Sequence, residues 1–127
     1  VLALKSQMGL RLTAAYKDGD REALANFARV ELPELRDRFI EMRKVHMKNW
    51  FKIYKAFGWD VMDMRYGSLL ARIDSAIVEI EAYLSGEMER IEELEEERRY
   101  YGGQPGSIRY LNFFGDIVSP SRIAPKA

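Results

Sequence analysis

The chain of 127 residues contains no cysteine, which excludes disulfide bonds and thiolate metal sites and leaves the compartment open, with the cytoplasm slightly favoured. It lacks an apolar run of the ~20 residues that a membrane-spanning helix needs, so we expect no membrane partner. The charges of its twenty basic and twenty acidic residues cancel, so the chain has no net positive charge that would attract nucleic acid. Its single histidine, His46, offers no set of converging ligands, and we expect no metal and no cofactor.

Other signatures of catalytic or ligand-binding sites are also missing. The sequence holds no glycine-rich phosphate loop, no Ser-His-Asp set and no dinucleotide fingerprint. The glutamate-rich stretch 92–97 lacks the glycine and the alternating oxygen ligands of a calcium loop, so we interpret it as a solvated helix face. Residues 1–5 lack the features of a signal peptide, and they begin in a helical pattern without Met. We therefore interpret the chain as a fragment of a longer protein.

Apolar residues recur with helical spacing along most of the chain, and turn residues divide this pattern into segments. Gly19 and Asp20 predict the end of one helix and the N-cap of the next. Pro33 predicts a helix start, with Leu32 before it pushed toward extended angles; a kink instead of a clean break is the alternative. The predicted fold class is all-α, an irregular bundle of four to five helices in a single domain over residues 1–127. The predicted helices cover residues 2–17, 21–31, 33–56, 67–85 and 87–99.

Two apolar sets complete the predicted core. The C-terminal stretch 107–127 is too apolar for a disordered end, and we expect it to close the bundle as a docked segment. The helix at 33–56 is predicted to bury one stripe along its length, composed of Leu35, Phe39, Met42, Val45, Asn49 or Trp50, and Ile53, and widened by Phe51 and Tyr54.

The connection between the two longest predicted helices is the most distinctive part of the sequence. Gly58 is predicted to cap the end of the first helix, because glycine adopts backbone angles that other residues avoid. Asp60 or Asp63 is predicted to cap the start of the next one. We expect one of these carboxylates to hold Arg65 through charge-assisted hydrogen bonds. We also expect Gly67, a second interruption of the helical pattern, to lie in tight backbone packing.

This connection, with Asp18–Asp20 before it and Tyr83–Gly86 and Ile91–Glu96 after it, carries a resemblance that covers nearly the whole chain. It resembles the helical C-terminal domain of bacterial exo-β-N-acetylhexosaminidases of glycoside hydrolase family 20. In that group two long helices are joined by a run of the form W/K…(P/A)FG(W/F)…D.R.G(G/S), and a run YLSG…I.ELEE follows. At the two positions where the pattern varies, Ser68 and Ala56 stand where we would expect Gly and Pro, and these mild departures concern the turn geometry.

The resemblance implies a domain without catalytic residues of its own. Family 20 enzymes remove terminal N-acetylglucosamine or N-acetylgalactosamine with an adjacent Asp-Glu pair and the acetamide of the substrate. No Asp-Glu dipeptide occurs in this chain, and no strand pattern suggests a barrel. We therefore expect a C-terminal domain that supports the catalytic barrel of the same chain. The residues expected to carry structural or interdomain contacts are Phe57, Gly58, Trp59, Asp60, Asp63, Arg65, Tyr66 and Gly67.

A domain cut from a larger enzyme should expose the apolar area that met its neighbour, and an exposed area of that kind favours a two-fold homodimer. We expect it in two places. One is the start of the first helix, with Val1, Leu2, Leu4 and Met8. The other is the central connection, with Phe57, Trp59 and Tyr66.

Two other functions compete with this interpretation. The helix at 33–56 carries seven basic and three acidic residues, with Trp50, Phe51 and Tyr54 among them. A free-standing helical module could use it to bind an acidic partner or nucleic acid. An enzyme with carboxylates inside the bundle is the remaining alternative. The sequence just before Val1 would separate the first alternative from the glycosidase, because a parallel β/α pattern there would favour the hydrolase.

Overall fold

The computed structural model describes residues 1–97, which form helices joined by turns and contain no strand. The prediction of an all-α fold is confirmed. Val1–Leu94 is one compact unit, whereas only Glu95–Glu97 of the second unit, Glu95–Ala127, is described, so the single domain and the closing C-terminal segment stay predictions. The helices are α1 (Leu2–Lys5), α2 (Met8–Lys17), α3 (Arg21–Asn26), a π-helical turn (Phe27–Glu31), α4 (Leu32–Ile53), α5 (Trp59–Ser85) and α6 (Glu92–Glu95).

The turn between α2 and α3 forms as the sequence predicts. Gly19 has a φ of +68°, in the left-handed region that glycine enters at low cost. Asp20 caps α3 by accepting a hydrogen bond at 2.9 Å from the backbone N–H of Ala23. The helix predicted over residues 2–17 is instead divided into α1 and α2.

The predicted break before Pro33 does not occur. Leu32 has helical angles (φ −69°, ψ −43°) and donates its backbone N–H to the carbonyl of Phe27, five residues earlier. This wider π-helical turn joins α3 directly to α4. Because Pro33 lacks an N–H and crowds the carbonyl four residues before it, a locally widened helix accommodates the proline without ending. The expectation that Leu32 is extended is therefore wrong.

The core lies where α4 and α5 form an antiparallel hairpin whose base is covered by α2, α3 and the π-helical turn. α5 packs against α4, the π-helical turn and α3, and Tyr16 and Tyr83 add a ring contact at 5.2 Å. The most buried side chains of the described residues are apolar, in keeping with hydrophobic burial as the main stabilising term. The core cluster consists of Met8, Ala15, Leu24, Phe27, Ala28, Leu32, Leu35, Phe39, Ile73, Ile80 and Ile91, and Trp59 is buried as well.

Arginine–carboxylate pairs fix the register of the hairpin. Arg29 donates to both carboxylate oxygens of Glu81 at 2.8 and 3.0 Å, and Arg36 donates to Asp74 at 2.9 Å. The two arginines are seven residues apart and so are the two acids, in reverse order. Each pair is open to solvent, where such pairs contribute only ~0–1 kcal/mol, so their main effect is on alignment.

Two helix lengths differ from the prediction. The second long helix begins at Trp59 instead of residue 67, so Gly67 lies inside α5 and does not interrupt it. The helix predicted over residues 87–99 is reduced, within the part that the structure describes, to the four residues of α6. The side chain of Ile91 is buried, and its backbone N–H donates to the Tyr16 hydroxyl at 3.0 Å. These contacts with the rest of the bundle position the segment just before α6. A run of glutamates with few apolar residues does not sustain a longer helix.

Candidate interdomain surface

Backbone and side-chain hydrogen bonds hold the connection between α4 and α5 in one geometry. Tyr54 leaves the helix with extended angles (φ −111°, ψ 165°). The indole Nε1 of Trp50 donates at 2.8 Å to the carbonyl of Lys55, and the N–H of Trp59 donates at 3.1 Å to the carbonyl of Ala56. Gly58 has a φ of +90° and caps the start of α5. Glycine is required here, although it caps the following helix and not the preceding one as predicted.

Aromatic rings close the hairpin just inside this connection. The ring of His46 lies 5.2 Å from Trp59, 5.9 Å from Tyr66 and 6.2 Å from Trp50, in edge-to-face orientations. A hydrogen bond of 3.0 Å joins His46 Nδ1 to the Tyr66 hydroxyl. Burial raises the pKa of Tyr66 above its ordinary value, an effect that the charge of Arg43 partly offsets, so the hydroxyl stays neutral. These contacts give His46 a structural role at the end of the hairpin.

The buried stripe of α4 therefore differs from the predicted one. His46 follows Phe39 by seven residues on the inward face, whereas Val45 is more than half exposed and Ile53 is 77% exposed. A histidine is not counted in an apolar pattern, so the pattern favours Val45 over His46 for the buried stripe. The signal that could have found it is the spacing of His46 from Phe39 and Trp50, together with the aromatic rings available to pack against it.

The two neighbouring aromatic residues of the connection have opposite environments. Trp59 is 6% exposed, and its indole Nε1 is buried with no hydrogen-bond partner among residues 1–97. Phe57 is 95% exposed. The expectation that both belong to an exposed apolar area is thus wrong for Trp59, and Tyr66 is half-buried. Four other apolar side chains near the connection are also exposed; with Phe57 they form what we call the hairpin-end surface: Phe51, Ile53, Tyr54, Phe57 and Val61.

The charges of the connection do not pair as predicted. Arg43 donates from Nε and Nη2 to the same oxygen of Asp63, at 3.0 and 2.8 Å. Gly67 stands where the seven-residue spacing of the other pairs would place an acid, so Arg43 takes Asp63, one turn further along. Arg65 and Asp60 are exposed, and neither side chain forms a hydrogen bond or ion pair with any of the described residues. Asp60 and Asp63 do not cap α5, and Arg65 is not held by either.

Gly67 is exposed, and a Cβ added to it would meet no atom within 4 Å. The predicted tight backbone packing is absent from the described part of the chain. At the other predicted place, Met8 is buried, Val1 is half-buried and Leu4 is 37% exposed. The side chain of Leu2 lies outside the described part of the chain, and none of the three described side chains is as exposed as Phe57.

The arrangement lacks the elements of a catalytic centre within the described residues. No group of three His, Asp or Glu side chains in residues 1–97 is placed to hold a metal ion. None of the helices described is long and apolar enough to span a membrane. The basic character of α4 is reduced by internal pairs, since Arg36, Arg38, Arg43 and Lys44 all contact carboxylates.

A family model described as the Glycoside Hydrolase 20C C-terminal domain matches residues 1–110. The chain belongs to this family. No curated protein matches it. The assignment confirms the resemblance seen in the sequence, and it supports a non-catalytic accessory domain of a hexosaminidase.

For a Glycoside Hydrolase 20C C-terminal domain, the hairpin-end surface has two properties that suit a contact. Its aromatic and aliphatic side chains are exposed, and the backbone beneath them is fixed by the Trp50 and Trp59 hydrogen bonds. The exposed basic residues Lys48, Lys52 and Lys55 lie in the same part of the chain. The surface is therefore apolar at its centre, with cations nearby.

Proposed function

We propose that this domain supports the catalytic barrel of a β-N-acetylhexosaminidase, and that its hairpin-end surface packs against that barrel. The observation that carries the proposal is the exposure of Phe57, 95% open to solvent at the tip of a well-ordered connection. A soluble domain rarely leaves several large apolar side chains together in water, and such groups mark surfaces that meet another protein surface.

The composition of the hairpin-end surface agrees with a contact between domains. Such contacts bury ~600–1,500 Å² and are enriched in aromatic residues at their centres. Phe51, Tyr54 and Phe57 supply three rings within seven residues. Aromatic side chains bury a large area with few rotatable bonds, so little conformational entropy is lost when they are ordered.

The rigidity of the connection strengthens the proposal. The packing of His46 between Trp59 and Tyr66, and the pair between Arg43 and Asp63, hold the two helix ends together. A surface already in its bound geometry loses little entropy on docking. These groups thus act as the foundation of the contact, and the exposed residues above them make it.

The nearby charges indicate which part of the barrel would receive this surface. Lys48 and Lys55 are exposed and have no carboxylate partner among residues 1–97. We expect the facing barrel surface to be apolar with an acidic rim, because complementary charges orient two surfaces and exclude alternative ones. Removal of terminal N-acetylglucosamine or N-acetylgalactosamine would be carried out by an Asp-Glu pair in the barrel, outside this chain.

The test compares one substitution in two settings. Phe57→Asp should leave the thermal unfolding of the isolated 127-residue chain unchanged, because the side chain makes little contact there. In the full-length hexosaminidase it should lower the unfolding temperature and reduce activity at elevated temperature. Val30→Asp is the matched control, since Val30 is also an exposed apolar residue on a helical segment away from the connection. Equal changes in unfolding temperature and activity for Phe57→Asp and Val30→Asp in the full-length enzyme would reject the proposal.

The free-standing interaction module draws no comparable support. Its predicted basic face is partly neutralised by the internal ion pairs of α4, and the family assignment places the chain among domains of glycoside hydrolases.

A further inference from the structure

A glycine in the middle of the longest helix has no explanation within the bundle. α5 runs for 27 residues, and Gly67 lies near its first third with helical neighbours on both sides. Glycine is less favourable than alanine in a helix interior, because it loses more conformational freedom on folding. A methyl group at Gly67 would meet nothing within 4 Å, so no neighbour in the described part of the chain requires its absence. Close approach of another backbone is a reason for glycine at such a position.

The side of α5 that faces away from α4 is free of charged residues along its centre. Its members follow one another at steps of three or four, which places them on one face of a helix. Met64 is 65% exposed and Val78 is 66% exposed, and the residues between them are small and exposed. We call this the outward face of α5: Met64, Gly67, Ala71, Ser75 and Val78.

The outward face is symmetric about Ala71. Gly67 and Ser75 lie four residues before and after it, and Met64 and Val78 lie seven residues before and after it. A helix that pairs with a second copy of itself in antiparallel orientation brings such residues opposite each other. In that arrangement Met64 faces Val78 of the other copy, Gly67 faces Ser75, and Ala71 lies on the two-fold axis.

Two unpaired charges lie on one flank of this face, one on each side of Ala71 and at similar distances from it. Arg65 lies six residues before Ala71, and Glu79 lies eight residues after it on the same side of the helix. Neither side chain forms an ion pair with another residue in the range 1–97, whereas Arg72 on this flank is bonded to Glu93. When two helices pack antiparallel, each flank meets the same flank of the partner. Arg65 of one copy then lies near Glu79 of the other, and the dimer holds two such pairs.

We propose that two copies of this domain associate through the outward face of α5, antiparallel, with the two-fold axis at Ala71. The small residues let the two backbones approach closely, Met64 and Val78 cover the ends of the contact, and the Arg65–Glu79 pairs set its register. The contact is closed, because each copy uses the same face, and it therefore stops at two. It leaves the hairpin-end surface free, and it does not depend on the proposed contact with the barrel.

The absence of cysteine from the chain permits a direct geometric test. In the 127-residue chain Ala71→Cys places a single thiol on the proposed axis, and a thiol oxidant should convert most of the protein to a covalent dimer. Ser75→Cys is the matched control on the same face. Its two copies would lie ~12 Å apart along the helix axis, since each residue rises ~1.5 Å, and a disulfide needs Cα atoms within ~7 Å. It should stay largely uncrosslinked.

An equal mixture of Gly67→Cys and Ser75→Cys chains should cross-link to each other, because these positions face each other in the proposed register. Cross-linking of Ala71→Cys no faster than that of Ser75→Cys would overturn the register. Absence of any cross-linked species would overturn the dimer.

A second measurement does not require a new covalent bond. Sedimentation at several concentrations should show a monomer–dimer equilibrium that Arg65→Glu weakens about tenfold, because each attractive pair becomes a repulsive one. The double variant Arg65→Glu with Glu79→Arg should restore the original affinity. A chain that stays monomeric at every concentration, and that loses stability on Met64→Asp, would show that residues of its own chain cover this face and would reject the proposal.

Discussion

The two ends of the α4–α5 hairpin differ in how completely the chain covers them. At the base, Phe27 is 2% exposed and lies among buried residues of α2, α3 and the π-helical turn, while Arg21 bonds to the Leu84 carbonyl. At the tip, Phe57 is almost fully exposed although the connection that carries it is fixed by hydrogen bonds. A fixed geometry without burial indicates that the tip is ordered for a contact outside the bundle. In the function proposed above, the base serves stability and the tip serves association.

The largest expected effect separates the two ends by a pair of identical substitutions. Phe27→Ala should destabilise the isolated chain by ~3–5 kcal/mol, because it leaves a cavity in the core. Phe57→Ala should change the free energy of unfolding by no more than ~0.5 kcal/mol, as for other exposed side chains. Urea unfolding of both variants measures the difference. A large loss for Phe57→Ala would mean that its ring is covered by the chain itself.

Two glycines of the same hairpin should respond with opposite signs. Gly58→Ala should cost ~1–2 kcal/mol, because an L-residue is strained at its φ of +90°. Gly67→Ala should stabilise the isolated chain by ~0.5–1 kcal/mol, since the helix there has open space for a methyl group. Thermal unfolding of the dilute, monomeric chain checks both. Loss of stability for Gly67→Ala under these conditions would show that a neighbour already fills that space.

A pair of arginine substitutions tests how the tip is held. Arg43→Ala should lower the free energy of unfolding by ~0.5–1 kcal/mol, because its bonds to Asp63 are partly shielded from solvent. Arg65→Ala should have almost no effect on the monomer. The reverse order of the two effects, measured by urea unfolding, would restore Arg65 as the residue that fixes the connection.

The smallest expected effect is a dependence on pH at the base. The hydrogen bond from Arg29 holds the pKa of Glu81 below its ordinary value of 4.5. The folded state therefore gains stability from this group above pH 4.5, and that gain is lost as the pH falls through the lowered pKa. Between pH 7 and pH 3, the free energies of unfolding of Glu81→Gln and of the unmodified chain should differ slightly, and this difference should disappear at the acidic end. A difference that is constant across this range would contradict the role of the pair.

Much of the fold was predictable because local signals and the final structure agree. Gly19 and Asp20 form the turn and the cap that their residue types predict, and Gly86 ends α5 with a φ of +83°. The all-α class followed from helical spacing. The π-helical turn was not predictable, because a proline normally argues for a break, and only the packing around Leu32 keeps the helix continuous.

The candidate surface was predicted in place but not in detail. The sequence located the exposed area at the connection, yet it could not decide which of two neighbouring aromatics, Phe57 or Trp59, turns inward. That choice depends on the ring of His46, which lies on a distant turn of α4. Because Arg65 is close to Asp60 and Asp63 in sequence, an ion pair between them is the natural prediction. In the structure Asp63 instead accepts hydrogen bonds from Arg43 across the hairpin. Contacts between two helices are set by their register, and sequence proximity does not reveal it.

The most direct test of the central claim is the accessibility of position 57 in two proteins. Phe57→Cys should react rapidly with a thiol reagent in the isolated chain and slowly in the full-length hexosaminidase, with the modified peptide identified by mass spectrometry. Val30→Cys should react at similar rates in both. We predict strong protection at position 57 alone, since the barrel would cover it. Equal, rapid labelling of position 57 in both proteins would contradict the account, because it would show that the tip of the hairpin remains in solvent when the barrel is present.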